Sequence, residues 1–158
     1  MEDSYVLQIK ERQFSELYLC FCGYAKCGAG HSFGPAVRPN YIIHYILEGR
    51  GSYTVDGVRY ELEAGQGFLI EPRRQTFYQA DENEPWSYLW VGFDGKRAEE
   101  YLKGMGLGEN RLIYRCSHGS QLKETVLKML RHNTYTASDQ FILEGLLYSF
   151  FGVLSEDM

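Results

Sequence analysis

Cys20, Cys22, Cys27 and His31 make the densest run of metal-capable side chains, spaced Cys-x-Cys-x4-Cys-x3-His. Zinc sites are usually built on Cys pairs with two to four residues between them, and residues two apart on a strand point the same way without converging well. A thiol serving as a small buried apolar group is the commoner role for cysteine. The four histidines, His31, His44, His118 and His132, form no His-x-His or His-x3-His pair. Paired carboxylates, Gly-x-Ser-x-Gly and a phosphate-binding glycine loop are also missing, so positive evidence for catalysis is absent.

What remains is binding chemistry. Arg38 stands just ahead of an apolar run, where its rigid fork of donors can meet several ligand oxygens, although a surface salt bridge would use it equally well. Tyr78, Tyr88 and Trp90 fall in neighbouring runs, and Tyr88 and Trp90 share one side of theirs. They read as an aromatic wall on which a sugar ring stacks, or as ordinary core. His44 sits inside a run and can face the same interior. No cofactor and no metal are expected.

The segments that must position these residues are short, rich in β-branched and aromatic residues, and bounded by Gly, Pro or acidic residues. They are Tyr41 to Glu48, Ser52 to Leu62, Gly67 to Ile70 and Trp86 to Phe93. That pattern predicts consecutive antiparallel strands. Asp56-Gly57 predicts a tight type I′ hairpin flanked by Val55 and Val58. Further reversals are expected at residues 63–67 and near Pro72. Glu16 to Tyr24 reads as a strand with Leu17, Leu19 and Phe21 on one face. Gly23 to Asn40, with three glycines and two prolines from Gly28 onward, reads as loop around a short strand at most. Residues 1–15 read as an arm with an edge strand at Tyr5 to Ile9. Regular spacing of such strands points to a sandwich or small barrel able to hold one ligand.

After Asp94-Gly95 the period changes to that of helices. Asp94 is expected to cap a first helix, Ser120 a second, and Ala137 or Ser138 to open a third that runs from Asp139 to about Ser155. The third carries Phe141, Ile142, Leu146, Leu147, Phe150, Phe151 and Leu154 over more than half its circumference, more than one neighbour covers. A homodimer through Leu147, Phe150, Phe151 and Leu154 is therefore expected. On that basis Leu147→Glu or Phe151→Glu would give a folded monomer.

The net charge of −5 carries no basic stripe of the kind phosphate backbones require. The chain by itself is not expected to grip nucleic acid. No apolar run approaches 18 residues and the Met-Glu-Asp-Ser start is acidic, so a cytoplasmic protein with no membrane contact is expected.

The Leu-Glu-Gly-Arg-Gly hairpin at 47–51, Gly-Gln-Gly-Phe-Leu-Ile-Glu-Pro at 65–72 and Pro-Trp-Ser-Tyr-Leu-Trp-Val-Gly-Phe at 85–93 together resemble the N-terminal sensor domain of AraC-type transcriptional regulators. The resemblance implies a mainly β fold: a cupin-like double-stranded β-helix (jelly-roll) barrel over residues 16–93, preceded by the arm and followed by two or three helices over 94–158. It implies a regulator that responds to a small polar effector, often a sugar, and that dimerises. DNA would be read by a separate helix-turn-helix domain that is not in this chain. It also places Arg38, Tyr78, Tyr88 and Trp90 at pocket positions, with Tyr88 where the arabinose-sensing member has histidine. Metal-binding cupins carry His-x-His where this sequence has Val37-Arg38-Pro39, and a further His near Thr76-Phe77. The alternatives are a cupin-fold enzyme acting on a sugar or small acid, and a bare dimerisation module whose barrel is filled.

Overall fold

The computed structural model describes residues 3–10 and 13–158. The described residues form ten strands in two sheets. The six-stranded sheet runs β1 (Asp3–Gln8), β2 (Tyr18–Lys26), β9 (Ser87–Asp94), β4 (Tyr41–Glu48), β7 (Gln66–Ile70), β10 (Ile113–Arg115). The four-stranded sheet runs β3 (Ser32–Val37), β8 (Gln75–Ala80), β5 (Arg50–Val55), β6 (Val58–Glu63). Every pairing within the two sheets is antiparallel. This is the cupin-like barrel with C-terminal helices expected from the sequence.

The Asp56-Gly57 turn forms as predicted, with φ of 52° and 76° and Val55 opposite Val58. The left-handed region that a type I′ turn needs is cheap for glycine and tolerable for aspartate. Elsewhere the local reading needs correction. Gly23 to Asn40 is more ordered than expected, because β2 continues to Lys26 and β3 adds six residues. Within β2 the register shifts between Leu19 and Phe21. A bulge of this kind reverses the alternation, so Cys22 goes to the core while Phe21 turns to the barrel interior. The arm supplies β1, paired along β2; residues 1–2 and 11–12 of it lie outside the described residues.

The helices are α1 (Ala98–Gly104), α2 (Gly119–Arg131) and α3 (Ala137–Ser155). Asp94 does not cap α1: its carboxylate accepts from the Gly95 N–H (2.9 Å) and the Asn40 amide (3.2 Å). Ser120 lies inside α2, which His118 precedes. The cap of α3 is Thr136, whose hydroxyl accepts from the Asp139 N–H at 3.1 Å. α2 and α3 pack on each other and on β2 of the six-stranded sheet, with Phe151 set edge-on against Phe93 at 4.9 Å.

The expected dimer residues are displaced by this packing. Leu147, Phe150, Phe151 and Leu154 are all buried within one chain. With Leu143 they form the stripe that meets α2 and the sheet. The exposed side of α3 instead carries Phe141 (64% exposed), Ile142 (39%) and Tyr148 (43%). No helix is long and apolar enough to cross a membrane among the described residues.

Candidate ligand-binding site

A cavity of about 650 Å³ opens in the barrel between β1, β2, β9 and β4 on one side and β3 and β8 on the other. Arg38, His44, Tyr78, Tyr88 and Trp90 all line it. Cross-strand register explains the convergence: His44 pairs with Trp90 and with Phe68, so the three side chains leave the sheet on the same face. Tyr88, two residues from Trp90, joins them.

His44 marks the floor. Its ring stacks on Phe68 (4.5 Å between centroids, 6° between planes), with Tyr78, Tyr88 and Trp90 at 4.9, 5.0 and 6.2 Å. Below it, Tyr53 and Trp86 pack on Phe68 and fill the lower barrel. Burial, and secondarily the positive charge of Arg38, push the His44 pKa down to about 3, so the imidazole is neutral at physiological pH. Burial raises the Tyr78 hydroxyl to about 12, with Arg38 opposing.

Arg38 follows β3. Its guanidinium lies 4.7 Å from the Phe33 ring centroid and 5.8 Å from that of Phe21. Such cation–π contacts fix the plane of the fork, which also donates a hydrogen bond to the Tyr78 hydroxyl. Asn40, His31 and the β1 residues Ser4 and Gln8 add polar groups around the mouth, and no Asp or Glu is among the described lining residues. The site therefore combines a fixed cation, neutral donors and aromatic faces, a composition suited to recognising a small polar molecule.

Three contributors escape a reading of the sequence, and a further group comes from the arm. Phe21 reaches the cavity only through the bulge in β2. Phe33 lies in a stretch that reads as loop. Val6 and its neighbours reach the mouth because β1 docks on β2. Gly23, opposite Trp90, admits the indole: a Cβ there would lie 2.2 Å from the ring. A glycine inside a strand is the available signal for such close approach.

The cysteine run does not converge. Cys20 lines the cavity while Cys22 is in the core with its thiol pushed up to about 12 by burial. Among the described residues no three His, Cys, Asp or Glu side chains are grouped to hold a metal ion.

A second, small recess lies between the arm and α3, lined in part by Ile9, Phe14, Gln140 and Glu144. Burial raises the Glu144 carboxyl to about 7. A raised carboxylate favours the folded state at low pH, fully below about 4.5, and that contribution is lost as pH rises through 7. Glu144→Gln is expected to raise the melting temperature at pH 8 by roughly 2–4 °C, allowing for partial exposure, and to leave it unchanged at pH 4. Equal melting of variant and wild type at pH 8 would show that the carboxylate is adequately solvated.

Residues 19–151 match the family model for the AraC-like ligand binding domain. The chain belongs to that family. This AraC-like domain is 38% identical over 137 residues to the Msm operon regulatory protein of Streptococcus mutans, covering 85% of this chain and 49% of that protein. It is 32% identical over 142 residues to the raffinose operon transcriptional regulatory protein RafR of Pediococcus pentosaceus (86% and 50%). A third relative is the lactose operon transcription activator of Staphylococcus xylosus, 32% identical over 95 residues (56% and 34%). The chain thus spans about half the length of the first two. Among solved structures, YhaK from Escherichia coli superposes with a TM-score of 0.54 at 18% identity, over 71% of this chain and 49% of that one; the likeness concerns the fold alone.

Proposed function

We propose that this AraC-like domain is the sugar-sensing part of a cytoplasmic transcriptional regulator, with the barrel as sensor, the helices as dimerisation element and DNA read elsewhere in the protein. The observation that carries the reading is the 650 Å³ cavity, walled by Tyr78, Tyr88 and Trp90 and furnished with Arg38 and His44. Its relatives, named for raffinose and lactose operons, support a sugar as effector. Size favours more than one ring. Liquid water takes about 30 Å³ per molecule, an upper bound on the volume per heavy atom of a sugar. A hexose of about twelve heavy atoms then fills at most roughly 360 Å³ of the space.

The enzyme alternative lacks support in the lumen, because the neighbours of His44 are aromatic rings rather than a carboxylate. Dimerisation is assigned to the exposed side of α3. There Phe141, Ile142 and Tyr148 flank Gly145 and Gly152, whose added Cβ atoms would meet nothing, so a second helix can approach closely.

Isothermal titration with raffinose and lactose tests the reading, and a domain that binds neither counts against it. Where binding is seen, Arg38→Ala is expected to weaken it by about 1.5–3 kcal/mol, the worth of a charge-assisted hydrogen bond. Undiminished affinity would remove Arg38 from the site.

A further inference from the structure

We propose that His44 is the specificity-determining polar contact at the cavity floor, its Nε2–H donating a hydrogen bond to an uncharged oxygen of the ring that reaches it. The inference rests on reading the cavity as a sugar site and goes beyond it by naming the group that selects the ring.

His44 is only 2% exposed, yet lines the cavity. Its Nδ1 has no hydrogen-bond partner, one of two such buried side-chain atoms among the described residues. Enclosing Nδ1 without a partner costs about 1–3 kcal/mol that a carbocyclic ring would not incur, so keeping an imidazole there points to a use for its other nitrogen. Packing alone does not account for the imidazole: every ring around it is aromatic, and phenylalanine would continue the stack on Phe68 with no polar atom to desolvate.

The tautomer follows from the same accounting of partners. A neutral imidazole carries one N–H and one lone pair. An enclosed N–H without an acceptor is rarer than an enclosed acceptor without a donor, which assigns the lone pair to Nδ1 and the hydrogen to Nε2. Nε2 is not one of the enclosed, unpartnered atoms, and no hydrogen bond from a described residue engages it, so it is the nitrogen left to the cavity that His44 lines. The charged and titratable groups facing the ring are Arg38, Tyr78 and Tyr88. The neighbouring cation and the burial together keep the ring from protonating, so it meets a hydroxyl or ring oxygen as a neutral donor. A site built around such a donor rejects an analogue lacking the matching oxygen.

The test is calorimetric titration of wild type, His44→Phe and His44→Gln with lactose, raffinose and singly deoxygenated lactoses. Wild type should bind one deoxy analogue about 10- to 100-fold more weakly than lactose. His44→Phe should bind lactose and that analogue alike, both at the weakened level, with its melting temperature undiminished. His44→Gln, which keeps an N–H donor, should recover part of the loss. Wild-type binding that His44→Phe matches within about twofold overturns the proposal while leaving the sugar reading intact. Should His44→Phe fail to fold, ¹⁵N spectra of the wild-type imidazole decide. An Nε2-protonated ring whose signals move on adding lactose supports the contact, and ring signals unmoved by a bound sugar overturn it. A wild-type domain that binds no sugar overturns both readings together.

Discussion

Leu147→Glu is expected to unfold the domain, whereas Ile142→Glu is expected to leave it folded and to abolish self-association. The two positions lie on opposite sides of α3. Leu147 is fully buried in the stripe shared with Leu143, Phe150 and Leu154. Removing its side chain alone costs about 2–5 kcal/mol through lost burial and the cavity left behind. A carboxylate without a partner in that space adds a further penalty of several kcal/mol. Against a total stability of about 5–15 kcal/mol for a domain, the sum removes most or all of the margin. Ile142 is 39% exposed, and charging it should change monomer stability by no more than about 0.5 kcal/mol. Circular dichroism melts with sedimentation velocity separate the cases. A Leu147→Glu domain that melts like wild type would place that residue outside the core. An Ile142→Glu domain that sediments as wild type does, dimer or monomer, would remove this face of α3 from any interface.

Below neutral pH His44 should draw stability from the domain well before its ordinary carboxylates titrate, against an opposing gain from the raised carboxyl of Glu144. The folded-state pKa of His44 is lowered from the ordinary 6.5 to about 3, so between those values the unfolded chain binds a proton that the folded one refuses. The stability this contributes is fully present above pH 6.5 and is lost as pH falls, by about 1.4 kcal/mol per unit. Asp139 and Asp157, whose carboxyls are held below the usual range by hydrogen bonds from Thr134 and Ser117, add a loss of the same sign only in stronger acid. Urea midpoints measured between pH 7 and 4.5 should therefore fall for Glu144→Gln, in which the opposing gain is removed, and much less for Glu144→Gln combined with His44→Phe. Parallel slopes would show that another group takes up the proton.

Much of this was legible in the residues, and the failures have physical causes. The Asp56-Gly57 hairpin and the central strands announce themselves through turn chemistry and a two-residue period. Arg38, His44, Tyr78, Tyr88 and Trp90 stand out together by residue type, and all five line one cavity. The bulge in β2 is invisible to a period-two reading, because one extra residue reverses every face beyond it. That is why Phe21 and Cys22 exchange places. α3 misled for another reason. Apolar residues surround most of its circumference, so composition shows that two surfaces exist without showing which meets the barrel. Helix starts were displaced because Asp94, Ser120 and Thr136 are all competent caps by type, and only the path of the chain decides between them.

The filled lower barrel bears on how such a domain can diverge. Tyr53, Phe68 and Trp86 are core side chains directly beneath His44. Replacing any of them with a small residue costs about 3–5 kcal/mol, so the depth of the cavity is closed to gradual change. Ser4, Val6 and Gln8 at the mouth are exposed, and substitutions there are nearly neutral for stability. Descendants of this chain can therefore drift in what the rim admits while inheriting the floor unaltered, and a lineage shifting from one effector to another would record the change in its first strand.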